Sequence, residues 1–91
     1  MRKFKVDIGE NVNARDAVAT KDCNAITFVN IGDDVAYVNN RPIPVYASGM
    51  QEYPNITYCG LEGEIMQGLF QINFAGVGVS PNLLVVRKYY V

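Results

Sequence analysis

The run Leu83–Val91 constrains the fold of this chain more than any other stretch. It reads LLVVRKYYV, without glycine or proline and rich in the β-branched and aromatic side chains that fit a pleated sheet. Because side chains alternate across a strand, each face of the run begins apolar and carries one charge, Arg87 on one face and Lys88 on the other. The pattern predicts a strand that pairs inside a sheet and is buried on both faces for half its length.

Short runs in which apolar and polar side chains alternate recur along the chain, bounded by turn-forming residues. No stretch carries an apolar face at helical spacing long enough to hold a helix. About seven short strands with little or no helix predict an all-β chain, a single domain over residues 1–91 that folds as a small antiparallel β-sandwich or jelly roll. The strand candidates are Lys3–Ile8, Ala17–Thr20, Ala25–Ile31, Val35–Val38, Ile43–Ala47, Asn55–Gly60, Leu69–Phe74 and Leu83–Val91.

Turn residues divide these strands. Gly9 is expected to end the first strand, and Glu10–Asn24 reads as a long polar loop, functional or packed on a neighbour, with a short strand near Ala17–Thr20. Gly32–Asp34 has turn chemistry, and Asn39–Asn40 favours a left-handed tight turn.

Two strand assignments depend on neighbouring residues. Val35–Val38 is expected to return as the hairpin partner of Ala25–Ile31, because only a short turn separates them. Pro42 and Pro44 make Ile43–Ala47 an edge strand or no strand, because proline cannot donate to a ladder.

Composition excludes several classes of function. The chain has 91 residues, is 49% hydrophobic and has a net charge of −1, so it lacks the basic face that nucleic acid requires. It contains no apolar run long enough for a membrane helix and no signal-like start, so we expect synthesis in the cytoplasm. The hydrophobic content is high for so small a domain, which indicates that part of the apolar area is an interface. Cys23 and Cys59 are too few for a disulfide framework, and two free thiols are favoured over a bridge.

Catalytic chemistry is not predicted. The absence of histidine removes the commonest general base and most zinc sites, so we assign no catalytic, metal or cofactor-binding residue and expect no enzyme. Carboxylates are the surviving route, either the pair Glu62 and Glu64 or the adjacent Asp33 and Asp34. Solvated turn charges are favoured over a calcium site or an acid/base pair, since no run of oxygen ligands occurs.

The six tyrosines supply most of the amphipathic ring surface of a chain without tryptophan. Tyrosine is favoured at interfaces because it buries area and keeps a polar tip, although it also suits the rims of sheets. Pro-rich loops carry two of the tyrosines, and the closing strand carries two more. The candidate interface residues are Tyr46, Tyr53, Tyr89 and Tyr90.

Three stretches carry a resemblance to a known class of proteins: Asn24–Gly32 (NAITFVNIG), the loop Val38–Pro44 and the closing Asn82–Tyr90. With the strands placed, about two-thirds of the chain resembles small β-sandwich virion proteins of tailed bacteriophages, such as capsid-decoration, head-fibre-base and tail-associated subunits. The resemblance lies in the general pattern of short strands and Asn-rich turns rather than in a motif, so no residue role can be carried over. It implies a homo-oligomeric subunit of a larger assembly that contacts other protein subunits through edge strands or loops.

These observations lead to one expectation and one alternative. We expect a non-enzymatic structural or assembly subunit of a phage virion that acts through protein–protein contacts, without cofactor, nucleic acid or membrane. The alternative is a carbohydrate-binding β-sandwich, suggested by tyrosines near turns and clustered asparagines.

Overall fold

The structure is a computed structural model that describes residues 4–60 and 65–90. Within them the chain is all-β, as predicted, and contains no helix, hence none that could cross a membrane. It has eight strands rather than about seven. The short strand expected near Ala17–Thr20 is present as Asp16–Ala19, whereas the segment Ile43–Ala47 was misplaced: the edge strand there is Arg41–Ile43, and residues 44–47 form no strand. The strands are β1 (Phe4–Val12), β2 (Asp16–Ala19), β3 (Ala25–Asn30), β4 (Ala36–Val38), β5 (Arg41–Ile43), β6 (Asn55–Cys59), β7 (Leu69–Phe74) and β8 (Leu83–Tyr90).

The strands form two antiparallel sheets of four. The first sheet has the order β1-β8-β3-β6 and the second has the order β2-β7-β4-β5. Among the described strands, six connections therefore cross from one sheet to the other: β1 to β2, β2 to β3, β3 to β4, β5 to β6, β6 to β7 and β7 to β8. Eight antiparallel strands wound in this way form a small jelly roll, one of the two architectures predicted from the sequence.

The closing strand occupies the interior position that its composition predicts. β8 pairs with β1 on one side and with β3 on the other. Leu83 and Val85 are fully buried against the second sheet, whereas Leu84 and Val86 are half-buried on the outer face. The strand is thus shielded more on one face than on the other.

The core lies between the sheets and consists mainly of aliphatic side chains. At its centre the ring of Phe28 from the first sheet meets the ring of Phe70 from the second edge-on, with centroids 5.1 Å apart. This arrangement is favourable because the positive edge of one ring faces the negative face of the other. The other buried apolar residues are Val12, Val18, Cys23, Ile26, Ala36, Val38, Ile43, Ile72, Leu83 and Val85.

The first strand does not end at Gly9, as the sequence suggested. β1 continues to Val12, with a register shift against β8 between Ile8 and Glu10. An extra residue in one strand reverses the alternation of side chains beyond it. Val6, before the bulge, lies on the exposed outer face, whereas Val12, after it, enters the core.

The predicted hairpin between Ala25–Ile31 and Val35–Val38 is wrong. β3 pairs with β6 and β8, and β4 pairs with β5 and β7 in the opposite sheet. A short connection can therefore carry the chain between sheets as well as between neighbouring strands. The left-handed turn at Asn39–Asn40 is confirmed, with φ values of 48° and 67°, and it joins β4 to β5.

Arg87, the one charge on its face of the closing strand, is among the most buried side chains, with 1% of its surface exposed. Its Nε and Nη2 donate to the carbonyl oxygen of Ala19, at 3.1 Å and 2.6 Å, and Nη2 also donates to Glu10 Oε1 at 2.5 Å. A buried charge requires such partners, because burying an unpaired ion costs on the order of several kcal/mol in desolvation. The guanidinium therefore ties β8 of the first sheet to the end of β2 in the second.

Candidate functional site

Four of the connections that cross between the sheets, β1 to β2, β3 to β4, β5 to β6 and β7 to β8, lie at one end of the sandwich, which we call the loop end. The pairs Val12–Leu83 and Leu83–Asn30 mark this end in the first sheet, and the pair Ala36–Phe74 marks it in the second. Strands that are second neighbours in a sheet lie roughly 10 Å apart, so connections that leave neighbouring strands at the same end lie close together. The loop end comprises residues 13–15, 31–35, 44–54 and 75–82.

One of these connections, residues 75–82, displays two valines to solvent, and we call it the valine loop. Val77 has 84% of its surface exposed and Val79 has 91%. A single exposed apolar residue on a protein surface is normal, whereas exposed apolar residues that lie together mark a contact surface. The exposure of two valines in one loop therefore needs a structural or functional explanation.

The backbone of the valine loop is fixed by the carboxylate of Asp33. Oδ1 accepts the N–H of Ser80 at 2.7 Å and Oδ2 accepts the N–H of Val79 at 3.0 Å. Asp33 N–H in turn donates to the carbonyl of Ser80 at 3.3 Å. Hydrogen bonds to an ionised acceptor are roughly twice as strong as neutral ones. The exposed position of Val79 is thus built into the turn.

Two glycines allow this close approach of residues 31–35 to the valine loop. A Cβ atom on Gly78 would lie 2.6 Å from the carbonyl oxygen of Asp33, and one on Gly32 would lie 2.3 Å from the amide nitrogen of Asn82. Real Cβ atoms essentially never come within 3.0 Å of another heavy atom. Any larger residue would push the two connections apart.

Asp34 secures the start of the same loop from inside the protein. Its Oδ2 accepts the N–H of Gly76 at 2.8 Å, and next to it Ala75 N–H donates to the carbonyl of Val35 at 3.0 Å. The side chain is buried, so Asp34 is not the solvated turn charge that the sequence suggested, whereas Asp33 is exposed. Oδ1 of Asp34 is buried without a hydrogen-bond partner among the described residues.

Asn30 organises the other connections of the loop end from a fully buried position at the end of β3. Its Nδ2 lies 2.9 Å, 3.0 Å and 3.1 Å from the carbonyl oxygens of Asp34, Ile43 and Pro44, and its backbone N–H donates to Pro54 at 2.9 Å. The side chain of Asn30 thus holds the 31–35 connection and the start of the 44–54 connection, and its backbone holds the end of the latter. A buried asparagine with its hydrogen bonds satisfied adds rigidity.

The 44–54 connection brings together two of the predicted interface tyrosines. The rings of Tyr46 and Tyr53 are both partly exposed and pack with centroids 4.9 Å apart at 46°. Tyr46 Oη donates to the carbonyl of Met50 at 3.1 Å, and the side chain of Met50 is exposed beside them. The loop end therefore combines an aromatic pair and a methionine with the two valines.

The other two predicted interface residues lie elsewhere. Tyr89 follows Lys88, which pairs with Ala25 at the far end of β3 from Asn30, so Tyr89 lies at the end opposite the loop end. Partial burial raises the pKa of the Tyr89 hydroxyl above its ordinary value, and the charge of Arg87 opposes this. Tyr90 is paired in β8, but its side chain lies outside the described residues. The structure does not bring all four tyrosines together.

An open groove lies beside the valine loop. It has a volume of about 390 Å³. Asn11 Nδ2 donates to Asn82 Oδ1 at 2.9 Å near its edge. The groove places polar amide and hydroxyl groups next to an exposed valine, the mixture typical of protein interfaces. Its lining residues are Asn13, Val79, Ser80, Pro81 and Asn82.

The remaining chemistry predicted from sequence gives no second site. Cys23 is a buried free thiol and Cys59 is an exposed free thiol, so the two cysteines are unbridged, as predicted. Across residues 4–60 and 65–90, no group of three metal-binding side chains occurs. Glu62 and Glu64 lie outside the described residues.

Sequence reasoning missed the valine loop and its support by Asp33 and Asn30. Gly76–Asn82 reads as a flexible connection, and nothing local shows that its valines face solvent. The one available signal is the alternation of glycine and valine, which is unusual for a polar surface loop.

Comparison with known proteins gives no relative. The chain matches no protein family, and neither a curated protein nor a solved structure is similar to it.

Proposed function

We propose that this chain is a structural subunit of a tailed-phage virion that binds its neighbours through the loop end. The observation that carries the proposal is the display of Val77 and Val79 by a loop that Asp34 holds at its start and Asp33 holds at Val79 and Ser80. Apolar side chains fixed in the exposed state gain free energy when a partner covers them, and little conformational entropy is lost because the loop is already ordered.

The fold supports this proposal without deciding it. Jelly rolls occur in viral capsid domains, in lectins and in cupins, so architecture alone does not assign a function. The short strands and Asn-rich turns of the sequence favour a viral structural domain. In this proposal the subunit is made in the host cytoplasm, oligomerises and joins a larger protein assembly, with no enzymatic step.

The composition of the virion tests the proposal. Particles of the phage whose genome encodes this chain are purified by density gradient and their proteins are quantified by mass spectrometry. We expect the chain at a fixed copy number relative to the major capsid protein. Its absence from the particles, with abundant free protein in the lysate, would refute the virion assignment.

A carbohydrate-binding module is the alternative, and the Tyr46–Tyr53 pair is the observation that favours it, because exposed rings can stack on sugars. The polar groups nearby are largely committed within the loop: Tyr46 Oη donates to Met50, and Asn55 Nδ2 donates to the carbonyl of Tyr53 at 3.0 Å. Sugar recognition needs free polar groups beside the ring. A glycan array with Tyr46→Ala and Tyr53→Ala variants separates the two functions, and a signal lost in both variants would favour the alternative.

A further inference from the structure

The edges of the two sheets differ in how they are protected. An unprotected edge strand is a template for pairing with another chain, so proteins guard edges with charges, proline, bulges or short length. β1 carries charges and a bulge, β2 has four residues with Asp16, and β5 has three residues with Pro42. β6 (Asn55–Cys59) has none of these and is the one unguarded edge among the described strands.

The hydrogen bonds at the two ends of β6 show which of its backbone groups are free. The carbonyl of Pro54 accepts from Asn30 and the N–H of Gly60 donates to Asn24, so even-numbered residues of this strand face β3. Backbone groups alternate sides along a strand. The N–H and C=O groups of the odd-numbered residues Asn55, Thr57 and Cys59 therefore point away from the sheet.

The sequence of β6 is complementary to itself in the antiparallel direction. If two copies meet about a two-fold axis at Thr57, Ile56 lies opposite Tyr58 of the second copy and Thr57 lies opposite its own counterpart. Pairs of an aromatic with a β-branched residue, and of two threonines, are among the favourable cross-strand pairs, and no like charges meet. The outer face already holds one such pair, with Oγ1 of Thr27 and Oγ1 of Thr57 2.9 Å apart.

We propose that β6 pairs with β6 of a second copy of this chain, joining the two first sheets into one continuous sheet. The contact is isologous, so a closed two-fold dimer results. Three hydrogen-bonded residue pairs would supply about six backbone hydrogen bonds. The row of threonines then continues across the axis from Thr27 and Thr57 to their counterparts. This proposal uses a surface separate from the valine loop and stands independently of the proposed function.

The exposed thiol of Cys59 provides the test. In the proposed register Asn55 lies opposite Cys59 of the second copy, with Cα atoms about 5.5 Å apart in a hydrogen-bonded pair, a distance that a disulfide spans. We therefore expect Asn55→Cys to form a covalent dimer on mild oxidation. Cys59 and its counterpart are about 13 Å apart along the strands, so the unmodified chain is not expected to crosslink.

Two controls complete the experiment. Gln71→Cys places an exposed thiol on β7 in the second sheet and is expected to form no covalent dimer under the same oxidation. Thr57→Lys sets two ammonium groups across the axis and, in the Asn55→Cys background, is expected to reduce the yield of dimer at least tenfold, whereas Thr57→Val preserves it. Circular dichroism of each variant shows that it is folded.

Each outcome of the crosslinking experiment either supports or overturns the proposed β6–β6 pairing. A dimer of the Asn55→Cys variant that Thr57→Lys suppresses supports the proposal. The proposal is overturned if Asn55→Cys forms no covalent dimer, if Gln71→Cys crosslinks equally well, or if the unmodified chain crosslinks through Cys59. Loop-end variants such as Val77→Ser should crosslink normally in the Asn55→Cys background, so failure of this contact is distinguishable from failure of the proposed function.

Discussion

The guanidinium of Arg87 and the carbonyl oxygen of Ala19 form a buried polar link between the two sheets, through Nε at 3.1 Å and Nη2 at 2.6 Å. The residues are 68 positions apart in the sequence. Glu10 adds a carboxylate from β1, so a single buried cation connects three strands. The link lies at the opposite end of β8 from the valine loop, and its role is structural.

Removing the cation should destabilise the fold. Arg87→Ala leaves the carbonyl of Ala19 without its partner inside the protein, and we expect the free energy of unfolding to fall by about 3 kcal/mol. Glu10→Gln should cost less, about 1 kcal/mol, because Glu10 is 37% exposed and water can replace part of its contribution. Urea denaturation of both variants measures the difference, and an Arg87→Ala protein as stable as the parent would contradict this account.

The two thiols should differ in reactivity and in their effect on stability. Burial raises the pKa of the Cys23 thiol, although the Arg87 charge partly opposes this, so we expect Ellman's reagent to modify Cys59 in the folded protein and Cys23 only after unfolding. Because the folded state holds the proton more tightly, this stabilisation is fully present below the unfolded pKa of about 8.5 and is lost as pH rises through the folded value.

The Cys23→Ala variant isolates that titration. It lacks the thiol, so its unfolding free energy should decline less steeply above about pH 8.5 than that of the parent chain. Identical pH dependence in the two proteins would show that Cys23 ionises alike in the folded and unfolded states.

Tyr58 offers a stabilising substitution. Its hydroxyl is buried and has no hydrogen-bond partner within the described part of the chain, whereas its ring packs against Phe70 with centroids 4.9 Å apart. Tyr58→Phe keeps the ring and removes the unpaired group, so we expect stability to be unchanged or to rise by about 1 kcal/mol. Thermal denaturation checks this, and a marked loss of stability would reveal an unrecognised partner for the hydroxyl.

Asp33 should control the order of the valine loop. Asp33→Ala removes the acceptor of the Val79 and Ser80 amides, and we expect their hydrogen exchange to become roughly tenfold faster while the strands are unaffected. Asp16→Ala is the matched control, because within the described residues that carboxylate accepts only the adjacent amide of Ala17, at 2.8 Å. Unchanged exchange at Val79 and Ser80 would mean that the loop is held by other contacts.

Local sequence predicted the strands well and their partners poorly. The alternation in β3, β7 and β8 is a local property, as is the preference of Asn39–Asn40 for positive φ, and both were confirmed. Strand pairing is not local. The connection that leads into β4 has the length of a hairpin turn but crosses to the other sheet.

The candidate site was predicted only in part, for the same reason. Tyr46 and Tyr53 were predicted because tyrosine in proline-rich loops favours an exposed position. Val77 and Val79 were not, since their exposure depends on Asp33, more than 40 positions earlier in the chain. The burial of Arg87 was missed because its partners, Glu10 on the neighbouring strand and the carbonyl of Ala19 on the other sheet, are distant in the sequence and meet only in the fold.

The affinity of the subunit for virions assembled without it tests the central claim most directly. If the valine loop is the contact, Val77→Ser/Val79→Ser loses about 1.5 kcal/mol of apolar burial for each valine, and Kd should rise about a hundredfold. Leu69→Ser, which alters an exposed apolar side chain on β7 at the opposite end of the sandwich, should bind within about twofold of the parent chain. Equal affinity of the double valine variant and the parent chain would contradict the account.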